Sequence, residues 1–142
     1  MRLFIQVDIQ LIDWPDSNGV RMGLSTVFGG LTRTSFGTSA DFSGLVREYL
    51  ISGFDPVGGE GVFVESEVTT GKLRLVRIGN TFRAYFSGAE SGEEWVLVNE
   101  HTATQCHIET SISLTVWTHN YAFTNKDVRV AFDNFVIRTR AY

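Results

Sequence analysis

Residues 73–87 read LRLVRIGNTFRAYFS, two runs of alternating apolar and polar residues joined by Gly79-Asn80. Alternation with a period of two is typical of a β-strand that buries one face. Glycine and asparagine tolerate the positive φ angles of a tight connection between antiparallel strands. With a polar turn over residues 88–92 and a further apolar run at 95–98, this segment predicts a three-stranded antiparallel meander.

The N-terminal stretch predicts another strand with one buried face. Its inward positions are all aliphatic: Leu3, Ile5, Val7, Ile9 and Leu11. Turn residues at 14–19 end this strand. Similar patterns predict strands near residues 20–28, 46–52, 61–67, 111–117 and 128–138. We expect residues 29–44 to form a long loop or a weak edge hairpin. The chain is therefore predicted to be all-β, a two-sheet antiparallel β-sandwich.

Composition narrows the classes of protein to which the chain can belong. Its 142 residues are 43% hydrophobic and predict one domain over residues 1–142, of a size compatible with excision from a larger polypeptide. A net charge of −4 without a basic run argues against a nucleic-acid partner. No apolar stretch approaches a membrane span, and no signal peptide is visible. Cys106 is the lone cysteine, which excludes an intrachain disulfide and a zinc cluster.

Residues 73–87, with Trp95 a short turn later, resemble the concanavalin A-like lectin/glucanase superfamily. More narrowly, they are similar to the laminin-G-like jelly rolls that serve as accessory modules of bacterial extracellular enzymes. Later segments fit the same pattern, LTVWTHN at 114–120 and AFDNFV at 131–136. The resemblance implies a jelly-roll sandwich that acts outside the cell or at its surface, as part of a larger protein.

The catalytic members of that superfamily carry acidic residues at alternate positions of one strand. Retaining glycosidases need two carboxyl groups about 5–5.5 Å apart. Glu65 and Glu67 have the same-side spacing, but the third acid and the flanking aromatic residues of that pattern are missing. The chain is therefore predicted not to be an enzyme, with a small glycoside hydrolase as the minor alternative.

Calcium is the one cofactor that the resemblance suggests. Related jelly rolls hold a structural ion between the first and last strands near a terminal aspartate, and Asp133 stands at the matching place. Calcium takes six to eight oxygen ligands, so Asp8, Asp13 or backbone carbonyls would have to join Asp133. The alternative is that Asp133 and Asn134 form a bulge or turn through side-chain-to-backbone hydrogen bonds.

Strand parity suggests a binding surface for sugars. Because Ile112, Leu114 and Val116 form the aliphatic set of their strand, Trp117 is expected to point away from the core. On the 81–87 strand Arg83 and Tyr85 are expected to face outward, which would allow them to share a face with Trp117. A flat ring with hydrogen-bonding neighbours suits the apolar face and the hydroxyls of a sugar.

The residues predicted to bind a ligand are Trp117, His119, Asn120, Tyr85, Arg83 and Trp14. A loop such as 29–44 could instead cover these aromatic residues, and Trp95 is predicted to be a core residue. Our first hypothesis is a non-catalytic carbohydrate-binding, lectin-like module with a glycan as partner. The second is a structural or protein-interaction domain that contacts neighbouring domains or a second copy.

Overall fold

The computed structural model describes residues 2–13, 20–26, 29–36, 46–53, 61–65, 68–88, 94–102, 111–118 and 127–140. Every regular element in these ranges is a β-strand. The strands are β1 (Arg2–Asp13), β2 (Val20–Thr26), β3 (Gly29–Phe36), β4 (Val46–Gly53), β5 (Gly61–Glu65), β6 (Thr70–Ile78), β7 (Thr81–Gly88), β8 (Val96–Thr102), β9 (Ile112–Thr118) and β10 (Arg129–Arg140). Within the described ranges no helix exists that could span a membrane.

The described strands form two five-stranded antiparallel sheets. Sheet A has the order β10-β1-β6-β7-β8, and sheet B has the order β5-β4-β3-β2-β9. The predicted meander is confirmed as the consecutive strands β6, β7 and β8. Gly79 begins its first turn with a φ of 60°, a left-handed conformation that glycine adopts without strain. The all-β antiparallel prediction is thus confirmed, and the two sheets are consistent with a β-sandwich.

The core lies between the two sheets. The five inward aliphatic residues of β1 are 0–6% exposed, as their alternation predicted. Met22 and Leu24 of sheet B are fully buried in the same cluster, together with Leu73 and Leu75 from β6. Side chains from β9 and β10 pack against its margin. This packing fixes which side of each strand in sheet A faces away from the core.

The prediction for residues 29–44 was wrong in its first half. Gly29–Phe36 is β3, the middle strand of sheet B, paired along its length with β2 and with β4. Its sequence, GGLTRTSF, has weak strand propensity and little alternation. Pairing on both sides satisfies its backbone hydrogen bonds, so tertiary context overrides the local preference. Residues 37–44 lie outside the described residues.

Candidate functional site

The side of sheet A that faces away from the core, here called the outer face, carries aromatic and charged residues in ordered rows. Residues directly opposite each other on neighbouring strands have Cβ atoms about 4.5–5.5 Å apart. One row across the sheet is Arg138, Phe4, Val76, Arg83 and Glu100. The next row is Val136, Gln6, Arg74, Tyr85 and Leu97. The outer face therefore brings two aromatic rings and three guanidinium groups together.

Arg74 is the centre of this arrangement. Its guanidinium carbon lies 3.5 Å from the centroid of the Trp95 ring and 4.9 Å from that of Phe4. Nε and Nη2 of Arg74 both donate to Oε1 of Gln6, at 3.1 and 2.8 Å. A guanidinium stacked on a ring and held by a hydrogen-bond partner has little freedom to move. Arg74 thus fixes the orientation of the Trp95 ring beside the outer face.

Arg83 and Tyr85 lie beside Arg74, on β7. Nε of Arg83 donates to Oε2 of Glu100 across the β7–β8 pair, and both side chains are more than two-fifths exposed. The hydrogen bond with Glu100 and the negative charge of that carboxylate raise the pKa of Arg83 above its usual range. Tyr85 makes a smaller contribution in the same direction. The three side chains therefore form one polar group with an aromatic ring next to it.

This arrangement suits binding to a molecule with both apolar and hydroxylated surfaces. Tyr85 is half-buried, so its ring is held by the sheet while part of it stays open to solvent. Arg83 and Glu100 supply charged donors and acceptors beside it, and charge-assisted hydrogen bonds are about twice as strong as neutral ones. The outer face therefore offers stacking and hydrogen bonding to such a molecule.

Two of the predicted ligand-binding residues are in the described structure in full. Arg83 and Tyr85 face outward while Phe82, Ala84 and Phe86 are buried, as parity predicted. The expectation that they share a face with Trp117 was wrong. Trp117 belongs to β9 at the end of sheet B, whereas β7 belongs to sheet A. Sequence parity assigns a side of a strand, but the sheet to which the strand belongs depends on distant pairing.

The side chains of the remaining predicted residues lie outside the described structure. Trp14, His119 and Asn120 lie outside the described residues. The backbone of Trp117 is described, opposite Arg21 of β2, but its side chain is not. Glu65 ends β5, and Glu67 lies outside the described residues. The glycosidase alternative therefore stays a prediction.

The stacking of Trp95 on Arg74 was not predicted from the sequence. Trp95 was predicted to be a core residue, yet it is half-buried and stacks on Arg74. The signal available was its position after the acidic pair Glu93-Glu94, just before β8 begins. Alternation alone could not place it, because the residue precedes the paired part of the strand.

Asp133 and Asn134 form a β-bulge between β1 and β10. The register shifts between the pairs of Gln6 and Asp8, and Asn134 has a φ of 51°. Its backbone N–H donates to Oδ1 of Asp133 at 2.7 Å, and its side-chain amide donates to Oδ2 of Asp8 at 2.8 Å. The bulge alternative is thus confirmed.

The same residues surround the carboxylate of Asp8, whose Oδ1 is buried without a hydrogen-bond partner in the described part of the chain. Nζ of Lys72 lies 3.7 Å from Oδ1 of Asp8, so an ammonium group and an amide N–H already face the carboxylate that calcium would need. Asp13 pairs with Arg129 at 3.2 Å. Among the described residues no group of three or more His, Cys, Asp and Glu side chains could hold a metal ion. The calcium site stays a prediction.

Comparison with known proteins supports the fold alone. No protein-family profile matches the chain, and no curated protein matches it. It is similar to the crystal structure of a functionally unknown protein from Saccharomyces cerevisiae, with a TM-score of 0.68 at 10% sequence identity. The similarity covers 99% of this chain and 71% of the yeast chain. At this identity the likeness says nothing about function.

Proposed function

We propose that this chain is a non-catalytic carbohydrate-binding module whose glycan binds the outer face of sheet A. The observation that carries the proposal is the grouping of Tyr85 with the Arg83–Glu100 pair, directly beside the fixed Arg74. The resemblance to laminin-G-like jelly rolls supports a lectin-like role. It also supports an extracellular or cell-surface setting within a larger protein.

In this proposal the Tyr85 ring stacks on the apolar C–H face of a sugar. The Arg83 guanidinium donates to a hydroxyl oxygen, and the Glu100 carboxylate accepts from a hydroxyl hydrogen. Both groups are held by their mutual hydrogen bond before the ligand arrives. Holding groups in position beforehand lowers the entropy lost on binding.

The test is a glycan array followed by affinity electrophoresis with the purified chain and two alanine variants. Tyr85→Ala is expected to weaken binding about tenfold or more, as loss of a central aromatic contact does. Tyr85→Phe keeps the ring and serves as the matched control, with a much smaller loss. Trp117→Ala is expected to bind as the unaltered chain does.

The binding of these variants shows whether the glycan binds sheet A, at Tyr85, or sheet B, at Trp117. Loss of binding in Trp117→Ala with normal binding in Tyr85→Ala would move the glycan site to sheet B. An unaltered, folded chain that binds no glycan in the panel would contradict the carbohydrate-binding function itself. Circular dichroism of each variant shows whether its fold is intact.

A protein-interaction domain is the second candidate, favoured by one observation on the same face. Leu97 lies opposite Tyr85 and is 49% exposed. Exposed apolar side chains around an aromatic residue are typical of a protein contact. If the chain sediments as a dimer that Tyr85→Ala dissociates, this candidate replaces the first.

A further inference from the structure

A groove at one end of the outer face is lined by arginine side chains over an apolar floor. It has a volume of about 650 Å³. Three guanidinium groups border it, from Arg2 at the start of β1 and from Arg138 and Arg140 near the end of β10. Its apolar lining residues include Phe4, Val76 and Ile78. The groove thus combines a concentrated positive charge with an apolar surface.

The arrangement of these arginines is costly without a counter-ion. Arg2 and Arg140 are direct partners in the β1–β10 register, and like charges directly opposite each other destabilise a sheet. Arg138 lies two positions from Arg140, on the same side of β10. All three side chains are exposed, so water screens part of the repulsion. The repulsion that remains would be relieved by an anion.

The chain does not supply that anion from its described residues. Within the described ranges, Arg83, Arg129 and Lys72 each have a carboxylate partner. By contrast, Arg2, Arg138 and Arg140 form no ion pair with a described acidic residue. This contrast is notable in a chain with 16 acidic and 12 basic residues. The charge of the groove is therefore open to a ligand.

We infer that the groove binds the carboxylate or sulfate groups of an acidic polysaccharide. This inference rests on the proposed glycan-binding function and names its ligand class. Guanidinium groups bind planar or tetrahedral oxyanions through paired N–H donors. The apolar floor matches the C–H face of a sugar ring. Phe4 links the groove to the proposed glycan site, because Arg138 and Arg74 both stack on its ring, at 5.9 and 4.9 Å.

The experiment measures binding of the purified chain to polygalacturonate, which carries carboxylates, and to dextran sulfate, which carries sulfates. Neutral dextran, polyglutamate and double-stranded DNA are the comparison ligands. We expect the chain to bind at least one acidic polysaccharide more tightly than any comparison ligand. Affinity should fall as salt rises from about 0.05 M to about 0.5 M, because salt screens charge contacts.

Two variants of Arg140 test the groove itself. Arg140→Thr removes one guanidinium and is expected to weaken binding about tenfold. Arg140→Glu places a carboxylate opposite Arg2, so it should abolish binding while keeping or raising the melting temperature. Arg129→Thr is the matched control, since it removes the same charge from the other end of β10. It should leave binding unchanged.

The results also separate this inference from the proposed function. Binding to neutral glycans that Tyr85→Ala abolishes, without binding to either acidic polysaccharide, would overturn the groove inference and leave the proposed function standing. Equal binding to polyglutamate or DNA would overturn the assignment to a saccharide. Equal losses in Arg140→Thr and Arg129→Thr would show an effect of overall charge and overturn the site. No glycan binding of any kind would remove both.

Discussion

Gly71 lies where β6 passes too close to β7 for a side chain. A Cβ atom at this position would lie 2.4 Å from the backbone oxygen of Ser87 and 2.8 Å from a ring carbon of Phe86. Ser87 and Phe86 are both buried residues of β7, so neither can move away freely. We expect Gly71→Ala to lower the free energy of unfolding by about 1–3 kcal/mol, the usual cost of overpacking. Urea denaturation followed by tryptophan fluorescence measures it.

Gly79 provides the control for this prediction. It has a φ of 60°, but nothing lies within 4 Å of a Cβ atom built there. Asparagine tolerates this conformation better than other non-glycine residues do. Gly79→Asn should therefore change stability by less than about 1 kcal/mol. An unchanged urea midpoint for Gly71→Ala would contradict the close approach between β6 and β7.

Within β10, the bulge at Asn134 is the feature that a single variant can break. The residue needs a left-handed backbone, and its side chain bonds to Asp8 of the neighbouring strand. Alanine loses the bond and strains the backbone, whereas glycine loses the bond alone. We expect Asn134→Ala to be less stable than Asn134→Gly by about 1 kcal/mol, measured by urea denaturation. The reverse order would show that the bulge is not strained.

Strands were predictable where their side chains alternate and unpredictable where they do not. β1 has one aliphatic face and the β6–β7 hairpin has one mainly apolar face, and burial against sheet B follows directly from that pattern. β3 has no such face in its sequence. Backbone pairing with β2 and β4 holds this strand in place. Which strands pair with it depends on the tertiary structure and cannot be read from its own sequence. Local propensity therefore gave the wrong structure for this strand.

The candidate site shows the same limit at the scale of the molecule. The outward direction of Arg83 and Tyr85 followed from their neighbours in sequence. Their separation from Trp117 did not, because it depends on which strands share a sheet. Strand order and register also determine that Arg74 stacks on Trp95 and that Arg2 lies opposite Arg140. Sequence thus identifies the chemistry, and topology decides which groups meet.

The apolar core is better packed at β1 than at the neighbouring edge strand β10. Two isoleucines that face each other across these strands show the difference in burial. Ile5 of β1 and Ile137 of β10 are direct partners, yet Ile5 is fully buried and Ile137 is 47% exposed. Phe135, two positions earlier on β10, is 44% exposed. Among the described strands β10 is at the edge of sheet A, so the apolar core of the sandwich thins out along its second half.

This difference in burial predicts that replacement of isoleucine by alanine lowers the free energy of unfolding more at position 5 than at position 137. Ile5→Ala should lower the free energy of unfolding by about 2–5 kcal/mol, since it leaves a cavity in the centre of the core. Ile137→Ala should cost less than about 1 kcal/mol, because much of that side chain is already in water. Urea denaturation of both variants measures the difference, with Ile5→Val at about 0.5–1.5 kcal/mol as a milder probe. Similar costs at the two positions would contradict the thinning of the core along β10.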